Sequence, residues 1–300
     1  MVFETLDKAQ LKDIAPAALK EKLSRNEMKS LGHTKQYQFY STSQIIDDLG
    51  KLGWQLIKEG TRYQKPQKRN VGKVEDTTTH MLRFQNPNLN KGLEVGGLRP
   101  EILITNAHNG KAAFKFHAGL FRLVCSNGLV IADSSFESFK IRHIHVTFEE
   151  VREYTKVITK KIPEIMKKIN RWKSIKMDEK TQLQFATKAL ILRHQELLNR
   201  SILETTVDAK TLKEKYRPLE LLNVHRNEDK GNDIWHVFNR VQENLIKGNY
   251  THHTKGEKGK DTSRKARSIE YTNPKSNIRT SILVNKQLWQ LADQFAEALA

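Results

Sequence analysis

The stretch from Arg99 to Asp133, RPEILITNAHNGKAAFKFHAGLFRLVCSNGLVIAD, is the longest part of this chain with little net charge and dense Ile, Leu, Val and Phe. Burial of apolar surface drives folding, so this stretch marks the centre of a core. Two Asn-Gly pairs punctuate it, Asn109-Gly110 and Asn127-Gly128. Asn-Gly supplies the positive φ of a tight hairpin turn or of a helix end. The first pair separates ILITNAH from KAAFKFH and predicts a β-hairpin. Around the second, Phe121, Leu123 and Cys125 alternate as a strand would, while Leu120, Leu123 and Val124 also fit helical spacing.

Upstream of that centre the period is mixed. Met1 to Leu31 reads as an arm or a poorly packed helix broken at Pro16. YQFYST, from Tyr37, alternates as a short strand, and Ser41 to Ser43 cap a helix bearing Ile45, Ile46, Leu49 and Leu52, closed by Gly53. Strands follow at Trp54 to Tyr63 and at His80 to Phe84, separated by a basic loop with Lys65, Lys68, Arg69 and Lys73. An antiparallel meander with an early helix is the economical topology.

Downstream, Phe139 to Val146 alternates once more and then the period changes. Phe148, Val151, Tyr154, Ile158, Ile162, Ile165, Ile169 and Trp172 trace an apolar stripe along a long helix that Pro163 is expected to kink or split near Thr159. Its other side carries Lys160, Lys161, Lys167, Lys168 and Arg171. Further helices are predicted with Leu183, Ala186, Leu190, His194 and Leu197, with Leu212 and Tyr216 before Arg217-Pro218, and over Asp233 to Lys247. Gly248 to Asn277 is rich in Gly, His, Ser and Thr and bears Lys258, Lys260, Arg264, Lys265 and Arg267, a composition that reads as a flexible basic loop. A strand at Ser281 to Val284 and a helix with Leu288, Leu291, Ala292, Phe295 and Leu299 close the chain.

The predicted class is therefore α+β: a sheet meander with an early helix, packed by long C-terminal helices. The expected parts are an N-terminal arm over 1–31, a sheet core over 32–147, a helical region on the sheet over 148–247, a basic loop over 248–280 and a strand and helix over 281–300. One main domain with helical additions is expected.

A formal charge of +18 attracts polyanions, and nucleic acid is the first partner to weigh. A lone cysteine builds no internal disulfide and no leader pattern is present, so a cytoplasmic location is expected. No apolar window spans a bilayer. The phosphate-binding G-x-x-x-x-G-K-[ST] loop, G-x-G-x-x-G and H-E-x-x-H are all missing, so no cofactor and no metal is predicted. Cys125 in an apolar run reads as a small hydrophobe, and His143 with His145 as a strand face. Asp47, Asp48, Asp76, Glu101 and Glu137 lie nearest the sheet, without the acidic pair and E-x-K of a nuclease.

Trp235, Asn239 and Glu243 share one helix face, as a buried hydrogen-bond network or as a recognition site. Tyr37, Tyr40, Tyr63 and Tyr250 are the aromatic residues beside polar stretches that could stack bases.

Arg122-Leu-Val-Cys125-Ser-Asn127-Gly-Leu129, with Arg217-Pro218 and Trp235-x-x-x-Asn239-x-x-x-Glu243 downstream, resembles an uncharacterised phage/plasmid-like protein family carried by phages, plasmids and integrated elements. The likeness runs from about Tyr37 to the C-terminus. It implies a mobile-element setting and brings no agreed activity. The order of elements is also similar to the core of single-strand annealing proteins, which bind single strands in a basic groove and assemble into rings or filaments. That likeness is one of fold alone. The expectation is a non-enzymatic protein that binds nucleic acid, single-stranded DNA above all; a homo-oligomer is what the likeness to annealing proteins implies. The alternatives are a host-factor-binding protein and a metal-dependent nuclease.

Overall fold

A computed structural model describes residues 4–35, 39, 41–64, 78–89, 98–109, 114–122, 128–130, 140–141, 147–198, 216–255, 261–269 and 278–300. The arrangement is α+β, as predicted, but its core is not single. The chain divides into two compact units, Met1–Ile162 with Tyr271–Ile278, and Pro163–Glu270 with Arg279–Ala300.

The first unit opens with helices α1 (Leu11–Ile14) and α2 (Arg25–Ser30), separated by a 3-10 turn at Pro16–Leu19. Ser24 and Glu27 form a reciprocal cap on α2. The expected loose arm is instead tied down. Leu6 N–H donates to the Leu56 carbonyl, Thr5 bridges Ile57, and Leu11, Ala17 and Ala18 are fully buried. Small and apolar side chains at these positions let the segment close against a strand, which its Lys and Glu content concealed.

Helix α3 (Thr42–Lys51) starts after Ser41 and ends where Gly53 takes φ 81°, a left-handed turn that glycine alone adopts without strain. Strands β1 (Gln55–Tyr63), β2 (His80–Gln85), β3 (Leu98–Asn106) and β4 (Phe114–Arg122) then form an antiparallel meander in sequence order. The hairpin predicted at the first Asn-Gly is the β3–β4 pair. At the second, β4 stays a strand through Arg122 and pairs with β5 (Gly128–Val130), while Leu123, Val124 and Cys125, on which the two periods differ, lie outside the described residues. Of the strand expected over Phe139 to Val146, β6 (Lys140–Ile141) lies within the described residues and also pairs with β4.

Every residue of β2 is buried, so this sheet does not show one solvated face at its centre. His80, Leu82 and Phe84 occupy one face. His80 Nε2 lies 2.9 Å from Thr42 Oγ1 of α3, and Asn106 Nδ2 donates to the same hydroxyl at 3.0 Å. The opposite face buries Arg83, Gln85, Glu101, Thr105 and His117. Charge is tolerated there because Arg83 donates through Nε to Glu101 Oε2 at 2.8 Å and through Nη1 to the Glu59 carbonyl at 2.8 Å.

Helix α4 (Phe148–Ser174) keeps its apolar stripe, with Val151, Ile158, Ile162, Ile165, Ile169 and Trp172 buried. Pro163 sits inside it and does not end it, and the division of the chain into units falls at the same residue. The second unit contains α5 (Glu179–Leu198), α6 (Ile234–Lys247) and most of α7 (Ile278–Leu299). Trp172, Trp235, Phe238 and Trp289 form its aromatic centre, with ring centroids 4.5 to 6.3 Å apart. Helix α6 is buried on nearly all sides.

Three expectations are corrected in this unit. Ser281 to Val284 is helical, since Ile282, Asn285, Leu288, Trp289 and Ala292 step at helical spacing into the core and override the strand propensity of Ile and Val. The short helix predicted to reach Tyr216 does not, because Tyr216 makes an antiparallel bridge to His252. The basic loop over 248–280 carries two paired strands, β7 (Thr251–Lys255) and β8 (Asp261–Lys265). No helix among the described residues is long and apolar enough to cross a membrane.

Candidate nucleic-acid interface

The β7–β8 ribbon grows out of the C-terminus of α6. Asp233 caps the start of that helix by accepting from His236 N–H at 3.1 Å, and Gly248 ends it at φ 76°. A Cβ on Gly248 would collide with the Ala266 carbonyl oxygen, so glycine is needed both for its φ and for the close pass of the outgoing chain. Ala266 N–H returns a bond to the Tyr250 carbonyl at 3.0 Å.

Arg193 of α5 ties the outgoing end of the ribbon back to α6. Its guanidinium donates to the Leu245 carbonyl, the last turn of α6, and to the Arg267 carbonyl just past β8. The same group lies 5.1 Å over the Tyr250 ring. Tyr250 is fully buried with its hydroxyl 2.8 Å from His194 Nε2, and burial pushes its phenol pKa up. On the incoming side, the Glu220 carboxylate accepts from Thr251 N–H at 2.6 Å and from the Thr251 hydroxyl at 3.0 Å. The root of the ribbon is thus held by buried Tyr250 and by the bonds of Arg193 and Glu220.

The ribbon itself is polar. Thr262, Ser263, Arg264 and Lys265 are exposed, as is Arg267 beyond them. His253 accepts from Arg217 Nε at Nε2, 3.2 Å, which leaves Nδ1–H to donate to Ser263 Oγ at 2.8 Å. His252 stacks on Tyr216 at 5.0 Å and 17°, and Tyr216 stacks on His194 at 4.3 Å and 20°. From Thr251 to Arg267 the sequence holds six Lys or Arg residues against two carboxylates.

Residues 31–273 match the family described as a domain of unknown function (DUF932). This chain belongs to the DUF932 family. It is also similar to two proteins of Escherichia coli (strain K12), the UPF0380 proteins YfjQ and YafZ. Each is 27% identical over 270 residues, which cover 89% of this chain and 85% of the relative. No solved structure matches. The matched range takes in the sheet, α4 to α6 and the ribbon of this DUF932 chain.

Of the cations singled out by sequence, Lys65, Lys68, Arg69, Lys73, Lys258 and Lys260 lie outside the described residues. Arg264 and Lys265 are adjacent on β8 and Arg267 follows just past its end. On α4, Lys160 is exposed and Lys161 half-buried in the first unit. Lys167, Lys168 and Arg171 in the second unit line a cleft of about 250 Å³ over Trp172. Asp293 and Glu297 stand across that cleft, and Lys168 pairs with Asp293 at 2.9 Å, so its charge is mixed where the helix alone looked purely basic.

Trp235, Asn239 and Glu243 are buried and hold the DUF932 helix α6 in place. Asn239 Nδ2 donates back to the Trp235 carbonyl at 2.6 Å, and Glu243 Oε1 accepts from Arg226 at 2.6 Å and Lys247 at 2.8 Å. These partners belong to the helical unit and not to the sheet. Tyr63 and Tyr250 are core residues, which removes them as base platforms, while Tyr37 and Tyr40 lie outside the described residues. Cys125, His143, His145, Asp76 and Glu137 lie outside them too. Glu101 is committed to Arg83 and Asp47 to Lys8. Among the described residues no group of three His, Cys, Asp or Glu is placed to hold a metal.

Sequence reasoning used Arg217 only for the family resemblance and a helix end, and set His252 and His253 aside as part of a flexible basic loop. The signal was legible: THHTK and DTSRK are strand-length runs separated by five residues that include Gly256 and Gly259, a hairpin pattern outweighed by the polar composition.

Proposed function

We propose that this DUF932 chain is a non-enzymatic nucleic-acid-binding protein of the cytoplasm, an accessory of a phage or plasmid in recombination, replication or counter-defence, with single-stranded DNA as its favoured partner. The observation that carries this is the basic ribbon with its buried root. Arg264, Lys265 and Arg267 are exposed on an element whose two ends are tied to α6 and Arg193. Cations held on a fixed backbone lose less conformational freedom on meeting a row of phosphates than cations on a loose loop. They also release condensed counterions from the strand, which supplies affinity without base reading.

The test is binding of labelled oligonucleotides across a salt series, with products analysed in the same tubes. Affinity falls with salt at a log-log slope of about −0.7 per phosphate contacted on a single strand. Arg264→Glu with Lys265→Glu weakens binding and flattens the slope. Absence of affinity at physiological salt, with a host polypeptide retained instead, would establish a protein-binding role. Cleavage that stops when magnesium is chelated would establish a nuclease.

A further inference from the structure

The ribbon's two faces differ in chemistry. Register pairs His252 with Arg264 and His253 with Ser263, and paired residues share a face. Tyr216 bridges His252 from the other edge of β7, so Tyr216, His252 and Arg264 form one row across three adjacent backbone segments. Neighbouring strands lie about 4.8 Å apart, a spacing at which flat side chains on successive strands stack. The first members of the row do so: His194, Tyr216 and His252 are within 20° of parallel from one ring to the next. The stack begins in the core, where His194 is 7% and Tyr216 5% exposed, and moves outward through half-buried His252.

Arg264 is the next position in that row, and it is exposed. It stands on β8, which among the described residues pairs with β7 alone and is therefore an edge. A guanidinium is planar, cannot lose its charge and stacks on nucleobases as aromatic rings do. Strand alternation turns Lys265 to the opposite face, where it is a point charge suited to phosphate. A chain laid along the β8 edge thus meets a flat cation on one side and a localised cation on the other.

Resting on the nucleic-acid function proposed above, we infer that the His252 and Arg264 face of the ribbon stacks an unpaired nucleobase, so the partner is a single strand read through its bases as well as its phosphates. A duplex buries its base faces in its own stack and offers this face nothing flat to engage.

Fluorescence anisotropy with the full chain tests this against three probes: an oligothymidylate of about 20 nucleotides, an abasic phosphodiester of the same length and a blunt duplex. The oligothymidylate binds about tenfold tighter than the abasic strand, as one good base stack requires. Arg264→Lys keeps the charge and removes the plane. It brings the two single strands to near parity while the salt slope stays unchanged. Equal binding of the two strands by the unaltered protein, a preference that survives Arg264→Lys, or a tighter grip on the duplex would each overturn the inference and leave phosphate binding standing. No binding of any probe at about 50 mM salt would remove both it and the function on which it rests.

Discussion

Arg83 and Glu101, on the neighbouring strands β2 and β3, meet with both side chains out of water, Nε to Oε2 at 2.8 Å. The pair binds the middle of the sheet to itself and engages the Glu101 carboxylate. Glu101→Leu leaves the guanidinium charged and unpaired in the interior and lowers stability by about 3 to 5 kcal/mol in urea denaturation. Arg83→Met combined with Glu101→Leu recovers most of that loss, because replacing both charges removes the desolvation cost that either one alone retains.

His80 makes the first unit sensitive to acid. Burial holds its pKa down to about 4 from 6.5, with the Thr78 carbonyl hydrogen bond opposing only in part. The folded imidazole therefore binds fewer protons than the unfolded one between these values. Its contribution to stability is present above pH 6.5, is lost as pH falls toward 4, and amounts to about 3 kcal/mol over that window. Urea midpoints measured from pH 7 to pH 4 fall in the unaltered protein and fall less in His80→Gln.

Gly248→Ala attacks the ribbon at its root. The added methyl meets the Ala266 carbonyl in a backbone conformation that alanine disfavours, at a cost of roughly 1 to 3 kcal/mol. Hydrogen exchange is the informative measurement, because amides of β7 and β8 lose protection while those of β2 and β3 keep theirs.

Charge reversal on α4 separates its two kinds of lysine. Lys168 is half-buried against Asp293, so Lys168→Glu sets like charges together and destabilises the second unit by about 1 kcal/mol. Lys167→Glu and Arg171→Glu change exposed positions and leave the melting temperature nearly unaltered. If α4 contributes to strand binding, these two flatten the salt dependence by about 0.7 each. An unchanged slope assigns binding to the ribbon alone.

The meander was legible because short runs rich in Leu, Ile and Phe, at Leu56-Ile57, Met81 to Phe84, Ile102 to Ile104 and Phe114 to Phe116, stand between polar stretches and Asn109-Gly110 marks the hairpin. The α4 stripe was legible for the corresponding reason at a period near 3.6. The division into two units was not, because Trp172, Trp235 and Trp289 are far apart in sequence and only their packing reveals a second centre. Nor did the composition of Gly248 to Arg267 point to a ribbon, since its order comes from Arg193, Tyr250 and Glu220, side chains that act on it from outside or from its first residues. The role of Glu243 was half visible: spacing put it on a face with Trp235, but Arg226 lies in a segment with no periodicity to expose it.

Arg193 holds the chain just past β8 to the last turn of α6 and Glu220 holds the start of β7, so the phase of the ribbon is set at its base and not at its tip. Length changes among residues 256–260 would leave that phase intact, and diversity between relatives could accumulate there at little cost. A single residue gained or lost between Gly248 and Thr251 would instead turn β7 over against an anchored β8 and take His252 off the side that bears Arg264.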